Sequence, residues 1–330
     1  TQGVSSAASD VYKRQPEDKL VFERYDDYNG PHPALAAGMN WNLLSDASAR
    51  VTAMSTGTIQ AMEDVPYIDV DSLASAADVE SVQSFGLLFM MFNTKAAPFD
   101  DVRVRQAMHY ALDMDKIIET GMLGNATPAT SFLPETYPNY NEASTVYSYD
   151  PEKAEELLAE AGVDDLSITL LTTDTGWVKE VAPLIKESLD AIGIDTTLDI
   201  GQSASMYEKV DSGDYTVAIA PGDPSVFGVD PDLLMNWWYG ENVWTQTRTN
   251  WADSAEYAEL RTLLDDAVQQ QGDEQQATWD KAYDLIADEA VLYPLFHRKL
   301  PTAWSSQELI GFAPVPTTGL SFLDVGVAAK

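Results

Sequence analysis

The chain has 330 residues, too many for one ordinary core, and its 45% apolar and 10% aromatic content is that of a folded globular protein. Nineteen basic against 53 acidic residues set a formal charge of −34, which repels nucleic acid and anionic headgroups and disfavours DNA-binding and phosphate-binding roles. The absence of cysteine excludes disulfides, cysteine–zinc sites and thiol nucleophiles, and His32, His109 and His297 stand singly, without metal-ligand spacing.

Residues 1–15 (TQGVSSAASDVYKRQ) lack the apolar core of a signal peptide, and no run of 18 apolar residues occurs anywhere. SDVYKRQ resembles the translated tail of a sequencing adapter, so 1–15 is set outside the fold as a non-native or disordered tail. KLVFERY (19–25) and NWNLLS (40–45) read as strands, followed by a short helix capped by Asp46 and stopped at Gly57. TIQAM (58–62) reads as another strand, PYIDVDSLASA as a short helix, and SVQSFGLLFMMFNT as a long buried strand. One helix is expected over DDVRVRQAMHYALDMDKIIETG, with Val104, Ala107, Met108, Ala111 and Leu112 on one face. Asp150-Pro151 opens a second helix that stops at Gly162.

An alternating block follows: strand LSITLLTT, helix 177–192, strand IDTTLDIG, helix SASMYEKVDSGD, strand YTVAIAP. This order implies a parallel sheet with right-handed crossovers, and such sheets bind ligands beyond the C-terminal ends of their strands. The loops to watch are therefore 172–177, 201–205 and 220–230. Two helices joined at Gly272 read as a hairpin, VLYPLFHR (291–298) returns to a strand, and the remainder is punctuated by Pro and Gly.

Several stretches converge on one family. FNTKAAPFDDVRVRQAMHYALDMDKII, SYDPEKAEELLAEAG, LIKESLDAIGIDTTL, YDLIADEAVLYPLFH and ELIGFAPVP occur in this order. They resemble the corresponding segments of the extracytoplasmic solute-binding proteins of peptide, nickel and oligosaccharide ABC importers (family 5), over about residues 19–325. The resemblance implies an α/β, two-lobed clamshell, periplasmic-binding-protein-like, of type II, cluster C, with a parallel sheet and flanking helices in its second lobe. Residues 16–98 and 292–330 would then form the first lobe and 99–291 the second. Family members carry further residues ahead of position 19, so the chain is expected to lack an N-terminal part, including the signal or lipoprotein segment.

The stretch 220–251 is loop-rich to the eye and holds Phe227, Trp237, Trp238, Tyr239, Trp244 and Trp251. Such aromatics could wall a ligand site or pack a core. In peptide-binding members of the family an Asp of this region pairs with the ligand's ammonium group. Asp223-Pro224 and Asp230-Pro231 are the matching candidates, and Asp230 is preferred because DPDLL fits the family pattern better, although the Gly-Trp that usually precedes this loop is replaced by Ala220-Pro221-Gly222. Arg248 is the candidate for a ligand carboxylate, and Asn93 for a ligand bond or a hinge pin. Trp177 starts a helix whose N-terminus could attract anionic groups, though packing is the plainer role.

No GxSxG, HExxH or GxxxxGK motif occurs, so no enzyme is expected. The resemblance implies an extracytoplasmic, monomeric binder without cofactor or metal, lipid-anchored at full length, that hands a small molecule to ABC permease subunits and not to nucleic acid. An oligopeptide is the first choice of ligand. An oligosaccharide, a nickel complex using His297 or His109, and a sensory receptor role are the alternatives.

Overall fold

A computed structural model describes residues 9–15 and 19–329. Two units are distinguished: one holds the residues up to Val82 and those from Leu300 onward, the other Gln83–Lys299. The first begins with strands β1 (Ser9–Gln15), β2 (Lys19–Arg24) and β3 (Gly38–Asn42), an antiparallel sheet in that order. Helix α1 (Ala47–Ser55) starts where the Asp46 carboxylate accepts the Ala49 amide. Strand β4 (Ala61–Met62) and the one-turn helix α2 (Val70–Leu73) follow, and Met54, Met62, Val65, Leu73 and Ala303 form a small core.

Strand β5 (Asp78–Phe92) runs from the first unit into the second, alternating at its start and buried on both faces from Ser84 on. Helices α3 (Val102–Tyr110) and α4 (Met114–Gly121), strand β6 (Ala126–Pro128) and helix α5 (Pro151–Glu160) come next. The alternating block is β7 (Ser167–Thr173), α6 (Gly176–Ala191), β8 (Asp195–Gly201), α7 (Ser203–Ser212) and β9 (Val217–Gly222). Helices α8 (Pro231–Tyr239), α9 (Ala255–Ala267) and α10 (Gly272–Glu289) lead into β10 (Leu292–Trp304), which returns to the first unit. There β11 (Leu309–Ile310) pairs with β12 (Gly326–Val327).

In the second unit the strand order is β10-β5-β9-β7-β8, with β7 parallel to both β8 and β9 and β5 antiparallel to β9. The expected parallel block is therefore present, widened by the two long antiparallel strands that cross between units. The core on one face of this sheet is rich in aromatics, including Phe85, Phe89, Phe132, Trp238, Tyr239, Trp251, Tyr283 and Tyr293. Rings of this size bury more apolar area per residue than aliphatics do.

Four expectations change. The single helix over 100–121 is two helices, because Asp113 turns its carboxylate onto the Lys116 amide and so caps a new helix. The second unit begins at Gln83 and ends at Lys299, not at 99 and 291, because the buried halves of β5 and β10 belong to its sheet. Residues 9–15, set aside as tail, are extended and pair with β2, whose outer edge would otherwise be open. Residues 1–8 of that tail lie outside the described residues. Finally, 220–251 is not mainly loop: it contains α8, whose Asp230 cap and Pro231 at the first helical position are ordinary helix-start chemistry.

Candidate functional site

Strands β7 and β9 are parallel and end at Thr173 and Gly222, on the same side of the sheet. The antiparallel neighbour β5 pairs Leu87 with Gly222, so Gly86 lies level with the turn that follows β9. On β10, His297 Nδ1 meets the Phe85 carbonyl at 2.8 Å, and the Ser84 hydroxyl donates to the Arg298 carbonyl at 2.9 Å. The four strands thus bring Gly86, Asp223 and Arg298 together at one edge of the second unit.

Asp223 is half-buried, and its Oδ1 accepts the Ser225 amide at 3.2 Å and the Ser225 hydroxyl. Its other oxygen is aimed at Gly86, 3.7 Å from where a side-chain carbon would stand. That same point is 3.4 Å from Arg298 Cγ and 3.0 Å from Ser84 Oγ. Arg298 is 9% exposed and lays its guanidinium over the Trp177 ring, 5.0 Å from the centroid. Tyr137 stands beside Ser225 and Asp223, and burial raises its phenol, which therefore remains a proton donor. A serine hydroxyl, an arginine stem and a carboxylate oxygen are thus gathered around a glycine.

The aromatics of 220–251 divide. Trp238 and Tyr239 are buried: Trp238 stacks on Phe85 at 6.0 Å, and the Tyr239 hydroxyl donates to the Leu292 carbonyl. A Cβ on Gly222 would stand 2.6 Å from the Trp238 ring, so this tryptophan supports the end of β9 from below. Trp251 is buried too. Trp244 is half-buried against Phe89 and Tyr207 in a π-helical turn. Phe227 and Trp237 alone face outward, stacked on each other at 5.3 Å, and are 66% and 43% exposed.

The remaining anticipated residues are engaged locally. Asp230 is exposed and accepts the Asp232 amide at 2.9 Å, capping α8. Arg248 binds Asp211 at 2.7 Å and is sandwiched by Tyr207 and Trp244. Asn93 is buried, donates to the Tyr215 carbonyl and accepts from Lys95 and Asn250. These bonds make it a structural pin at the end of β5. His109 and His297 are buried, and desolvation lowers them to about 3 and about 4, so both are neutral in the core. Among the described residues no group of three or more His, Asp or Glu is placed to hold a metal.

The close approach at Gly86 and the burial of Arg298 were not anticipated in the sequence, although each carries a signal. A glycine within a run of buried large residues marks a close approach. An arginine in an otherwise apolar strand requires a partner. The first unit also contains a cleft of about 1370 Å³ lined by Phe22, Trp41 and Phe322. Its Arg24, His32 and Arg50 are already held by Asp26, Asp324 and the Leu44 and Ser45 carbonyls.

The family model "Bacterial extracellular solute-binding proteins, family 5 Middle" matches residues 10–246. The glutathione-binding protein GsiB of Salmonella choleraesuis (strain SC-B67) is 30% identical over 296 residues, covering 87% of this chain and 57% of its own. Among solved structures, the binding protein AgaA of A. tumefacien R10, complexed with agropinic acid, is 25% identical with a TM-score of 0.81, covering 100% of this chain and 69% of its own. A dipeptide-binding protein of Pseudoalteromonas sp. SM9913, complexed with Met-Leu, shares the fold at 20% identity and a TM-score of 0.81, covering 97% of this chain and 64% of its own. The chain therefore spans less than two thirds of the length of the curated relatives it matches. These relatives are binding proteins, not enzymes. Among the described residues no helix is long and apolar enough to cross a membrane.

Proposed function

The chain belongs to the bacterial extracellular solute-binding proteins of family 5, and from that premise we propose that it is the solute-capturing part of an ABC importer, taking a small peptide-like zwitterion whose ammonium group is received by Asp223. The observation that carries this reading is the half-buried Asp223 carboxylate at the end of β9, fixed by Ser225 and turned toward Gly86. A carboxylate held in place before the ligand arrives loses little entropy on binding, and its bond to an ammonium is charge-assisted. Delivery to permease subunits, a lipid anchor and a monomeric state belong to the same proposal, carried over from the family resemblance. The outward pair Phe227 and Trp237 supports a minor apolar contact with the ligand's side chain.

The competing sugar-binding reading needs exposed aromatic platforms, and here Trp238, Tyr239 and Trp251 are committed to the core. The test is calorimetry and thermal shift on the full-length gene product with glutathione, Met-Leu, maltotriose and nickel chloride. Glutathione or Met-Leu should raise the midpoint by mass action. Asp223→Asn should weaken that binding by about tenfold or more, and Asp230→Asn should leave it unchanged. Binding of maltotriose that survives Asp223→Asn would sink the proposal.

A further inference from the structure

Arg248 lies at the other end of β9 from Asp223: Tyr215, just ahead of that strand, donates its hydroxyl to the Arg248 carbonyl at 2.6 Å. The six residues of β9, at about 3.3 Å each, separate the two. The Arg248 guanidinium carbon stands 4.5 Å from the Tyr207 ring centroid and 4.1 Å from that of Trp244. These rings meet at 89°, so the cation occupies the corner between them, covered on two sides. Asp211, on α7, bonds the Nε–H at 2.7 Å. Among the described residues no acceptor meets the two terminal amino groups of this arginine. Two rings and one carboxylate therefore fix the guanidinium plane and leave its fork over. That fork matches the two oxygens of a carboxylate. Asp211 already contributes one negative charge, so a phosphate dianion would set three negative charges against one positive, and a carboxylate only two.

We propose that Arg248 forms a second binding site on this unit, separate from the Asp223 edge, and that its terminal amino groups take a carboxylate. Tyr207 and Trp244 are the walls that hold the guanidinium in place for it. A small dissolved acid and the C-terminus of a peptide segment present the same two oxygens, and the experiment tells these sources apart. The inference does not depend on Asp223 receiving an ammonium group.

The experiment is an NMR titration of the tryptophan indole N–H signals in the full-length gene product, at neutral pH and constant ionic strength. Trp244→Phe assigns the Trp244 signal. Succinate stands for a dissolved acid and N-acetyl-pentaalanine for a chain terminus. Phosphate, chloride and the C-terminal amide of the same peptide are the comparisons. The Trp244 signal should move saturably with a carboxylate probe, about fivefold or more tightly than with phosphate. Chloride and the peptide amide should leave it in place. The carboxylate probe that moves it identifies the source. Arg248→Lys, which keeps the charge but not the planar fork, should weaken the binding by about tenfold. Asp211→Asn, which removes the competing charge, should tighten it by about threefold or more. A merely structural ion pair would give no saturable shift with either carboxylate, and that result overturns the inference. So does a shift common to all three anions, one that persists unchanged in Arg248→Lys, or an Asp211→Asn variant that binds no more tightly.

Discussion

Arg105 is the most deeply buried cation in the second unit, its side chain 4% exposed beside Glu289 at 3.0 Å. Burial lowers the arginine and raises the glutamate, each against the pull of the other, so desolvation is the larger influence on both. The arginine also donates to the Glu289 and Phe99 carbonyls. These bonds tie the start of α3 to the end of α10. Arg105→Met should destabilise by roughly 3–5 kcal/mol, because it strands a carboxyl and two carbonyls without a donor. Arg105→Met combined with Glu289→Gln should cost less than the first change alone, since the stranded charge is gone. Urea unfolding of Arg105→Met, Glu289→Gln and the double variant checks this, and additive losses would contradict it. The two Asp-Pro pairs differ in burial, Asp223 being half-buried and Asp230 exposed. Asp230-Pro231 and Asp223-Pro224 look alike in sequence, and the helix-start signature of the former is what made it resemble a motif. Its carboxylate goes to a backbone amide for that same reason. Asp223 caps as well, its carboxylate accepting the Ser225 amide where the short helical turn Pro224–Phe227 starts, so the cap alone does not tell the two apart.

At the scale of elements, the alternating block 166–222 was legible because its periods switch cleanly between two and 3.6, with glycines at Gly193 and Gly213 in the left-handed region where the helices stop. The unit boundary was not legible, because β5 and β10 are each one continuous strand shared by two cores, and no composition shift marks the crossing. The aromatic stretch misled for a related reason. A Trp–Trp–Tyr run on a short helix sends neighbours in different directions, so Trp237 reaches solvent while Trp238 and Tyr239 enter the core. Close packing between elements gives a further prediction. At Gly121 a Cβ would stand 2.7 Å from Val181 Cγ1 and 3.2 Å from Leu184 Cδ1, where α4 crosses α6. Gly121→Val must push the two helices apart, at about 1–3 kcal/mol. Gly176→Val, at a position with open space around it, is the control, and equal losses in denaturant titration would refute the crossing argument.

For the whole molecule, the charge of −34 and the two buried histidines act on stability in different pH ranges. Arg105 depresses His109 further and Tyr147 and Tyr293 surround it, whereas His297 has Asp223 nearby, which partly offsets the effect of burial. Each histidine is neutral when folded and protonates more readily when unfolded. The stability this represents is fully present above about pH 6.5 and is lost as pH falls toward the folded values, at up to about 1.4 kcal/mol per pH unit for each. Glu289 works the other way, since its raised value favours the fold below the ordinary carboxylate range and the benefit fades as pH rises. Two histidines against one carboxyl set the sign between pH 6.5 and 4.5, so stability should fall on acidification there. Self-repulsion of the acidic surface changes little between pH 6.5 and 5.5, because most carboxylates titrate below that range, and eases only toward pH 4.5. Salt separates the two effects. Raising sodium chloride from 0.1 M to 1 M shortens the screening length from about 10 Å to about 3 Å, which relieves repulsion between exposed charges and leaves buried groups largely untouched. Urea midpoints at pH 6.5, 6.0 and 5.5 should therefore rise with salt by similar amounts and keep their slope against pH. His109→Gln should flatten that slope at both salt concentrations. A slope that disappears at 1 M salt would assign the pH dependence to the surface and not to the core.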